Sequence, residues 1–382
     1  PGYRQPATGY RLLVPATGYR LLVPATGYRL PATKKMAREK IISKESLGPE
    51  DEKLNVALRP RTLDECIGAG DLMEKLRIAI AAARGRNEPM EHVLLHGPPG
   101  LGKTTLAYVI AHEMGANIKV TSGPALTRPG DLIGILTNLE DRDVLFIDEI
   151  HRLPAAVEEY IYPAMEDYKV DFVVDSGMHS RTINLPLKPF TLIGATTRAG
   201  LLSPPMRTRF GIAHHLEFWS VEDLLDRCHM SARMLKISYD EAALAMLAGR
   251  ARGTPRIANR LLRRCRDYAQ VRGDGELNVA CVEAALKLEG IDDTGLDELD
   301  RKFLHTIIDV YRGGPVGIEA VAATLGEETD TLVDVVEPFL LQAGMLARTR
   351  SGRLATIKAY RHLGCTPPEK PIDVTGEENG ET

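Results

Sequence analysis

Two kinds of apolar pattern alternate along this chain from about Arg59 onward. The first is the short uninterrupted run: His92 to His96, Val144 to Ile147 and Phe190 to Ala195. Their length and Val/Leu/Ile content suit strands buried on both faces. The second is the longer segment in which apolar residues recur every three or four positions, the spacing of a helix with one buried face. Strands alternating with helix-length segments predict a parallel sheet covered by helices.

After about Ser220 the apolar runs stop. Val221 to Lys236, Asp240 to Arg250 and Pro255 to Val271 all carry helical spacing, so a separate all-helical module is expected. A third segment, Leu296 to Leu363, has helical patterns followed by Gly344-Met-Leu-Ala-Arg-Thr-Arg-Ser-Gly-Arg-Leu-Ala-Thr. That reads as strand, basic turn, strand. Helices capped by a small basic hairpin point to a winged helix.

The two ends differ from the middle. Pro6 to Val14 reads PATGYRLLV, Pro15 to Val23 repeats it, and Pro24 to Leu30 repeats most of it again. Nine-residue copies with a proline in each cannot bury a core, and they lack the pattern of a signal peptide. The expectation is a disordered leader over 1–35, ahead of an ordinary start at Met36. The final stretch, Thr366 to Thr382, is rich in Pro, Glu and Gly and reads as a solvated tail. The expected division is therefore 36–219, 220–292 and 293–365, followed by the tail 366–382.

Composition narrows the class. At 382 residues the chain suits two or three modules. Nothing approaches the roughly 20 consecutive apolar residues needed to cross a bilayer. The five cysteines are scattered and form no C-x-x-C pair, which supports neither a disulfide framework nor a zinc site and fits a reducing cytoplasm. A net charge of -4 argues against a surface that coats nucleic acid everywhere, but permits local basic patches.

The sharpest chemical signal is Gly97-x-x-x-x-Gly102-Lys103-Thr104, lying between the His92 to His96 strand and a helix over Thr105 to Met114. Glycines at these positions let backbone N–H groups turn inward around phosphates. Lys103 is placed to reach the β and γ phosphates, and the Thr104 hydroxyl to ligate magnesium. The Val144 to Ile147 strand ends in Asp148 and Glu149, 45 residues after Lys103. Asp148 is expected in the magnesium shell, and Glu149 is expected to polarise the attacking water. The Phe190 to Ala195 strand ends in hydroxyls, where Thr197 is placed to sense the γ-phosphate. His151 follows Glu149 closely, yet no further ligands stand at metal spacing, so a magnesium–nucleotide site is expected rather than zinc.

Together, GPPGLGKTTLA, LFIDEIHRL, YPAMEDY, TLIGATTRAG and ARGTPRIANRLLRR resemble the RuvB family, AAA+ motors of Holliday-junction branch migration, over roughly Lys53 to Pro368. The fold implied is a P-loop AAA+ core, an all-α lid and a C-terminal winged helix. The resemblance makes Arg209, in Met206-Arg207-Thr208-Arg209, an arginine finger acting on the neighbouring subunit's ATP, although the family usually has an acid where Thr208 stands. It makes Arg256 a second sensor in the lid. Leu58, Arg59, Gly100, Gly102, Thr105, Glu166, Asp167, Tyr168 and Trp219 match family positions around the nucleotide, Trp219 replacing a usual tyrosine. ATP and Mg2+ are the implied cofactors. The implied assembly is a homo-hexameric ring on Holliday junction and duplex DNA, with a RuvA-like partner and a RuvC-like resolvase as a further candidate.

Two basic segments bear on nucleic acid. Between Arg250 and Arg266 stand seven arginines and no acid, which fits DNA, a subunit contact or a solvated helix face equally. The run Arg348-Thr-Arg350-Ser-Gly-Arg353 sits on the expected hairpin tip, where phosphate contacts give affinity without sequence information. Its alternative is a solubilising turn, and the resemblance assigns DNA contacts to Arg348 and Arg353. Between Val170 and Pro189 an alternating pattern flanks a glycine, predicting a hairpin. The resemblance makes Ile183 and Leu185 on it contacts for the RuvA-like partner; packing on its own domain is the alternative. A clamp-loader-type AAA+ ATPase shares every nucleotide motif, and a protein-remodelling chaperone would want an aromatic pore loop that is not evident.

Overall fold

The computed structural model describes residues 58–68, 70–173 and 182–368. The nine-residue repeats, Met36 and the tail beyond Pro368 lie outside the described residues.

Alternation within each run builds the first module. Strands β1 (Val93–His96), β2 (Ile118–Ser122), β3 (Val144–Asp148), β6 (Thr191–Thr196) and β7 (Ile212–His215) form one sheet in the order β2-β3-β6-β1-β7. Each neighbouring pair is parallel. In β1 and β3, Leu94, Leu145 and Ile147 face one core, while Val93, Leu95, Val144 and Phe146 face the other. The period-two geometry of a strand thus fills both faces from one uninterrupted run. Helices α1 (Gly70–Arg86) and α2 (Lys103–Met114) cover one face; α3 (Pro129–Leu136) and α4 (Ala155–Glu166) cover the other. The expected hairpin forms from β4 (Lys169–Val173) and β5 (Thr182–Pro186), antiparallel, with Asp171 opposite Asn184. A short helix, α5 (Pro204–Thr208), precedes β7.

The helical module comprises α6 (Val221–Met234), α7 (Glu241–Gly249), α8 (Pro255–Arg272) and α9 (Val279–Leu288) around one apolar core. Ser220 caps α6 by accepting from the Asp223 N–H at 3.0 Å, and Asn278 caps α9 from the Cys281 N–H at 2.9 Å. Such caps satisfy backbone donors that the first helical turn cannot.

The last module holds α10 (Glu298–His305) and α11 (Ile318–Leu325). A helical stretch follows, in which a turn over Thr329–Thr331 runs through a π-helical segment, Leu332–Val336, into α12 (Glu337–Gln342). Strands β8 (Leu346–Arg348) and β9 (Arg353–Ala355) then make an antiparallel hairpin, and α13 (Ile357–His362) closes the module. Phe303, Ile307, Val321, Leu332, Leu340 and Ala355 lie in its core. Two helices, a helical stretch and a basic two-stranded wing are the layout that the sequence pattern predicts.

Candidate nucleotide site and nucleic-acid interface

Backbone geometry at the start of α2 follows from its glycines. Gly97 has φ +137°, and a Cβ there would stand 2.3 Å from the Leu216 carbonyl oxygen. Gly102, at φ +96°, is the residue before α2 and leads directly into Lys103. Only glycine takes both positions without strain, so the loop curls at the N-terminus of a helix, where N–H groups and the helix dipole favour anions. The Lys103 ammonium, largely buried, donates to the Gly97 and Pro98 carbonyls, each at 2.8 Å.

A cleft of about 260 Å³ opens over this loop. It brings together Arg59, Gly100, Gly102, Lys103, Thr104, Thr105, Asp148, Glu149, Thr197, Trp219 and Arg256, drawn from both the sheet module and the helical module. The Arg256 N–H donates to the Gly100 carbonyl at 3.4 Å, and the Trp219 N–H to that of Gly253 at 2.8 Å, so the lid loop rests on the phosphate loop. Glu149 has φ +48°, a left-handed conformation uncommon for a side-chain-bearing residue. Its N–H donates to Asp148 Oδ1 at 2.9 Å, and its carboxylate pairs with Arg152 at 2.8 Å. The Thr197 hydroxyl is buried and has no hydrogen-bond partner among the described residues. A buried orphan oxygen is costly, and Thr197 is among the residues that line the cleft. Thr104 and Asp148 offer hydroxyl and carboxylate oxygens in the same cleft, the hard donors that magnesium takes. His151 is committed elsewhere, its Nδ1 lying 2.8 Å from the Thr196 hydroxyl.

A second group of expected residues does not line this cleft. Arg209, at the end of α5, lies with its guanidinium 4.3 Å from the Tyr162 ring centroid, donates to the Pro205 carbonyl at 2.7 Å and pairs with Glu166 at 2.9 Å. Those partners orient it without any help from residue 208, where Thr208 donates to the Pro205 carbonyl at 3.1 Å. Asp167 pairs with Lys169 at 2.7 Å, and the Tyr168 ring meets Phe190 edge-on. Leu58 is buried, and its carbonyl accepts from Arg227.

The wing presents its arginines in an unexpected way. Glu337, with no exposed side-chain surface, accepts from Arg353 Nε at 2.6 Å and is also bonded by Arg348. Arg348 remains about half exposed and Arg353 is 17% exposed, so Arg348 is the freer of the two to meet a phosphate. On the β4–β5 hairpin Ile183 is 47% exposed and Leu185 is half-buried. Ile183 is therefore only partly covered by its own domain.

Three family models match end to end: the Holliday junction DNA helicase RuvB P-loop domain over 58–216, the RuvB AAA lid domain over 219–292, and the RuvB C-terminal winged helix domain over 293–364. The chain belongs to the RuvB family. Among its relatives, the Holliday junction branch migration complex subunit RuvB of Myxococcus xanthus is 53% identical over 336 residues, covering 88% of this chain and 98% of that protein. The Desulfosudis oleivorans subunit RuvB is 59% identical over 308 residues, 81% of this chain and 90% of its own length. The solved Thermotoga maritima RuvB Holliday junction branch migration motor superposes with a TM-score of 0.75 at 52% identity, covering 81% of this chain and 99% of that one. RuvB membership makes the cleft that of a P-loop ATPase.

Sequence reasoning missed several cleft residues: Cys66, Ile67, Met73, Arg227, Asn259 and Arg260. The apolar ones carry no chemical signature. Arg227 did leave one, since it falls on the buried face of α6 with Leu224, Cys228 and Ser231, where an unpaired charge is too costly to be there without a role. Among the described residues no helix is long and apolar enough to cross a membrane. One further cluster with metal-binding chemistry, His305, Asp309 and Cys365, lies in the winged helix and shares no residue with the cleft.

Proposed function

We propose that this chain is the ATP-driven motor of Holliday-junction branch migration, working as a ring on duplex DNA beside a RuvA-like junction-binding partner. The observation that carries the reading is the family match across all three modules, winged helix included. A clamp loader shares the nucleotide motifs but not this C-terminal module. In this reading residues 36–219 hydrolyse ATP, 220–292 form the lid, and 293–365 grip DNA. The ring is hexameric and works in the cytoplasm.

Lys103 and the inward N–H groups of the loop hold the phosphates, and Glu149 takes up the proton of the attacking water. Thr197 donates its unpartnered hydroxyl to the γ-phosphate, and Arg256 reports from the lid. Arg59 and Trp219 frame the base side, and Leu58, outside the cleft lining, steadies Arg227 through its carbonyl. Thr104 and Asp148 would hold magnesium, whose charge would offset that of the phosphates. Arg209 does not line its own cleft and pairs with Glu166, next in the chain to Asp167 and Tyr168. It serves the neighbour's nucleotide, and those three residues contribute to the same shared boundary. Arg348 and Arg353 bind phosphate backbone, and Ile183 and Leu185 dock the RuvA-like partner.

The test is steady-state ATP hydrolysis by the purified chain with and without four-way junction DNA and a RuvA-like protein. Junction and partner together are expected to raise the rate. Identical rates in every combination would dismiss the motor reading.

A further inference from the structure

The segments that carry the two sensor candidates, and the DNA-facing wing, all contact one helical stretch. Arg198 directly follows the sensor Thr197, and its own N–H is fixed by the Thr196 hydroxyl at 2.9 Å. Its guanidinium reaches out of the ATPase module, Nε to Asp334 at 2.7 Å and Nη2 to Asp330 at 2.8 Å. Asp334 is 5% exposed and sits in the middle of the π-helical segment. From the lid, Arg252, four residues before Arg256, donates to the Val335 carbonyl at 3.4 Å and lies 4.3 Å from the Phe339 ring centroid. Three residues after Asp334, on the same stretch, Glu337 holds Arg353 and Arg348.

We propose that Asp334 is a positioning residue that links the γ-phosphate sensor to the DNA grip. The inference rests on the motor reading above and adds the route by which hydrolysis and DNA contact sense each other. Coupling needs a contiguous set of contacts and an element able to sit in two arrangements. The contacts are Thr197 to Arg198 through the chain, Arg198 to Asp334 by a largely buried ion pair, and Asp334 to Glu337 within one helical turn. A π-segment, common at functional sites, is an element whose hydrogen bonds can shift register without unfolding the helix. When the γ-phosphate draws in the Thr197 hydroxyl, the end of β6 moves Arg198, and the ion pair carries that shift into the stretch that clamps the wing arginines. Linkage requires the reverse as well: DNA pulling on Arg348 and Arg353 alters how tightly the cleft holds ATP. Asp330, 75% exposed and therefore screened by water, is a minor partner.

The test compares the chain, assembled with junction DNA, against Asp334→Asn, Arg198→Gln and the double variant, with Asp330→Asn as control. Two quantities are read: hydrolysis rate with DNA over rate without it, and DNA affinity with a non-hydrolysable ATP analogue over affinity with ADP. The inference expects both ratios to fall toward one by about fivefold or more in each single variant, with the DNA-free rate little changed. The double variant should be no worse than the more affected single, because each single already removes the Arg198–Asp334 contact. The Asp330 control should resemble the parent. Ratios that stay at the parental value, or DNA-free and DNA-bound rates that fall in proportion, overturn the inference and make the contact a structural tie only. Should one single variant fail to fold, the other reads the same contact from its opposite side. A parental chain unaffected by DNA would overturn the motor reading and this inference with it, which separates the two failures.

Discussion

Arg252 of the lid and Asp300 of the winged helix form a two-point ion pair, at 2.8 and 3.2 Å, with side chains only 2% and 1% exposed. Asp300 also accepts from the Asp297 N–H at 2.9 Å, closing the capping box at the start of α10. One carboxylate therefore fastens two modules and caps a helix. Removing one partner of a buried pair strands the other charge, at a cost of about 3–5 kcal/mol, whereas replacing both by apolar residues of similar volume is often near neutral. Asp300→Ala should accordingly lower the thermal unfolding midpoint markedly. The pair Arg252→Met with Asp300→Leu should recover most of it. Equal losses in the single and double variants would show that the charge itself is needed.

Arg209 stacks on Tyr162 and pairs with Glu166 without lining its own subunit's cleft. Arg209→Ala should bind ATP normally and hydrolyse it about 10³- to 10⁵-fold more slowly. Mixing Arg209→Ala with Lys103→Ala chains should restore some hydrolysis, since each intact cleft can then meet an intact arginine. A mixture as inactive as its components argues against a shared site.

Trp219 is the single tryptophan in the sequence and lines the cleft. Nucleotide binding should change its emission in a saturable way, and Trp219→Phe should remove the signal while leaving ATP binding within a few-fold. Emission indifferent to nucleotide would place the base elsewhere.

Burial in the lid core pushes the Cys228 and Cys265 thiols up to about 12. At pH 8 both should resist a thiol reagent until the lid unfolds, because the thiolate is the reactive form. The sign for stability follows. An acid raised in the folded state binds its proton more tightly there, so this contribution is intact below the ordinary thiol value near 9.0 and is lost as pH climbs from there toward 12. Rapid labelling of four or five thiols in the folded chain would contradict the buried lid core.

Much of this was legible because particular residues have few alternatives. The mainly apolar runs at Val144 to Ile147 and Phe190 to Ala195 suit strands covered on both sheet faces, and β3 and β6 do lie inside the sheet. The edge strands were not legible. Ile118–Ser122 and Ile212–His215 alternate or mix exposed and half-buried positions, so their polar residues hide the strand. The cleft's phosphate side was readable from Gly97, Lys103, Asp148 and Thr197, whose chemistry dictates their types. Its apolar side was not, because Ile67 and Met73 resemble any core residue. Contacts between modules were invisible too. Nothing in the spacing of Arg198 and Asp334, or of Arg252 and Asp300, announces that they pair, since such pairs depend on how whole modules dock.

ATP hydrolysis here moves a DNA crossover. The most direct measurement of that movement is the dissociation of a labelled four-way junction with homologous arms by this chain plus a RuvA-like protein, in ATP and magnesium. The account predicts ATP-dependent conversion to two duplexes, abolished by Lys103→Ala and by Arg209→Ala. Conversion that proceeds equally without ATP, or hydrolysis stimulated by the junction with no strand exchange at all, would contradict it.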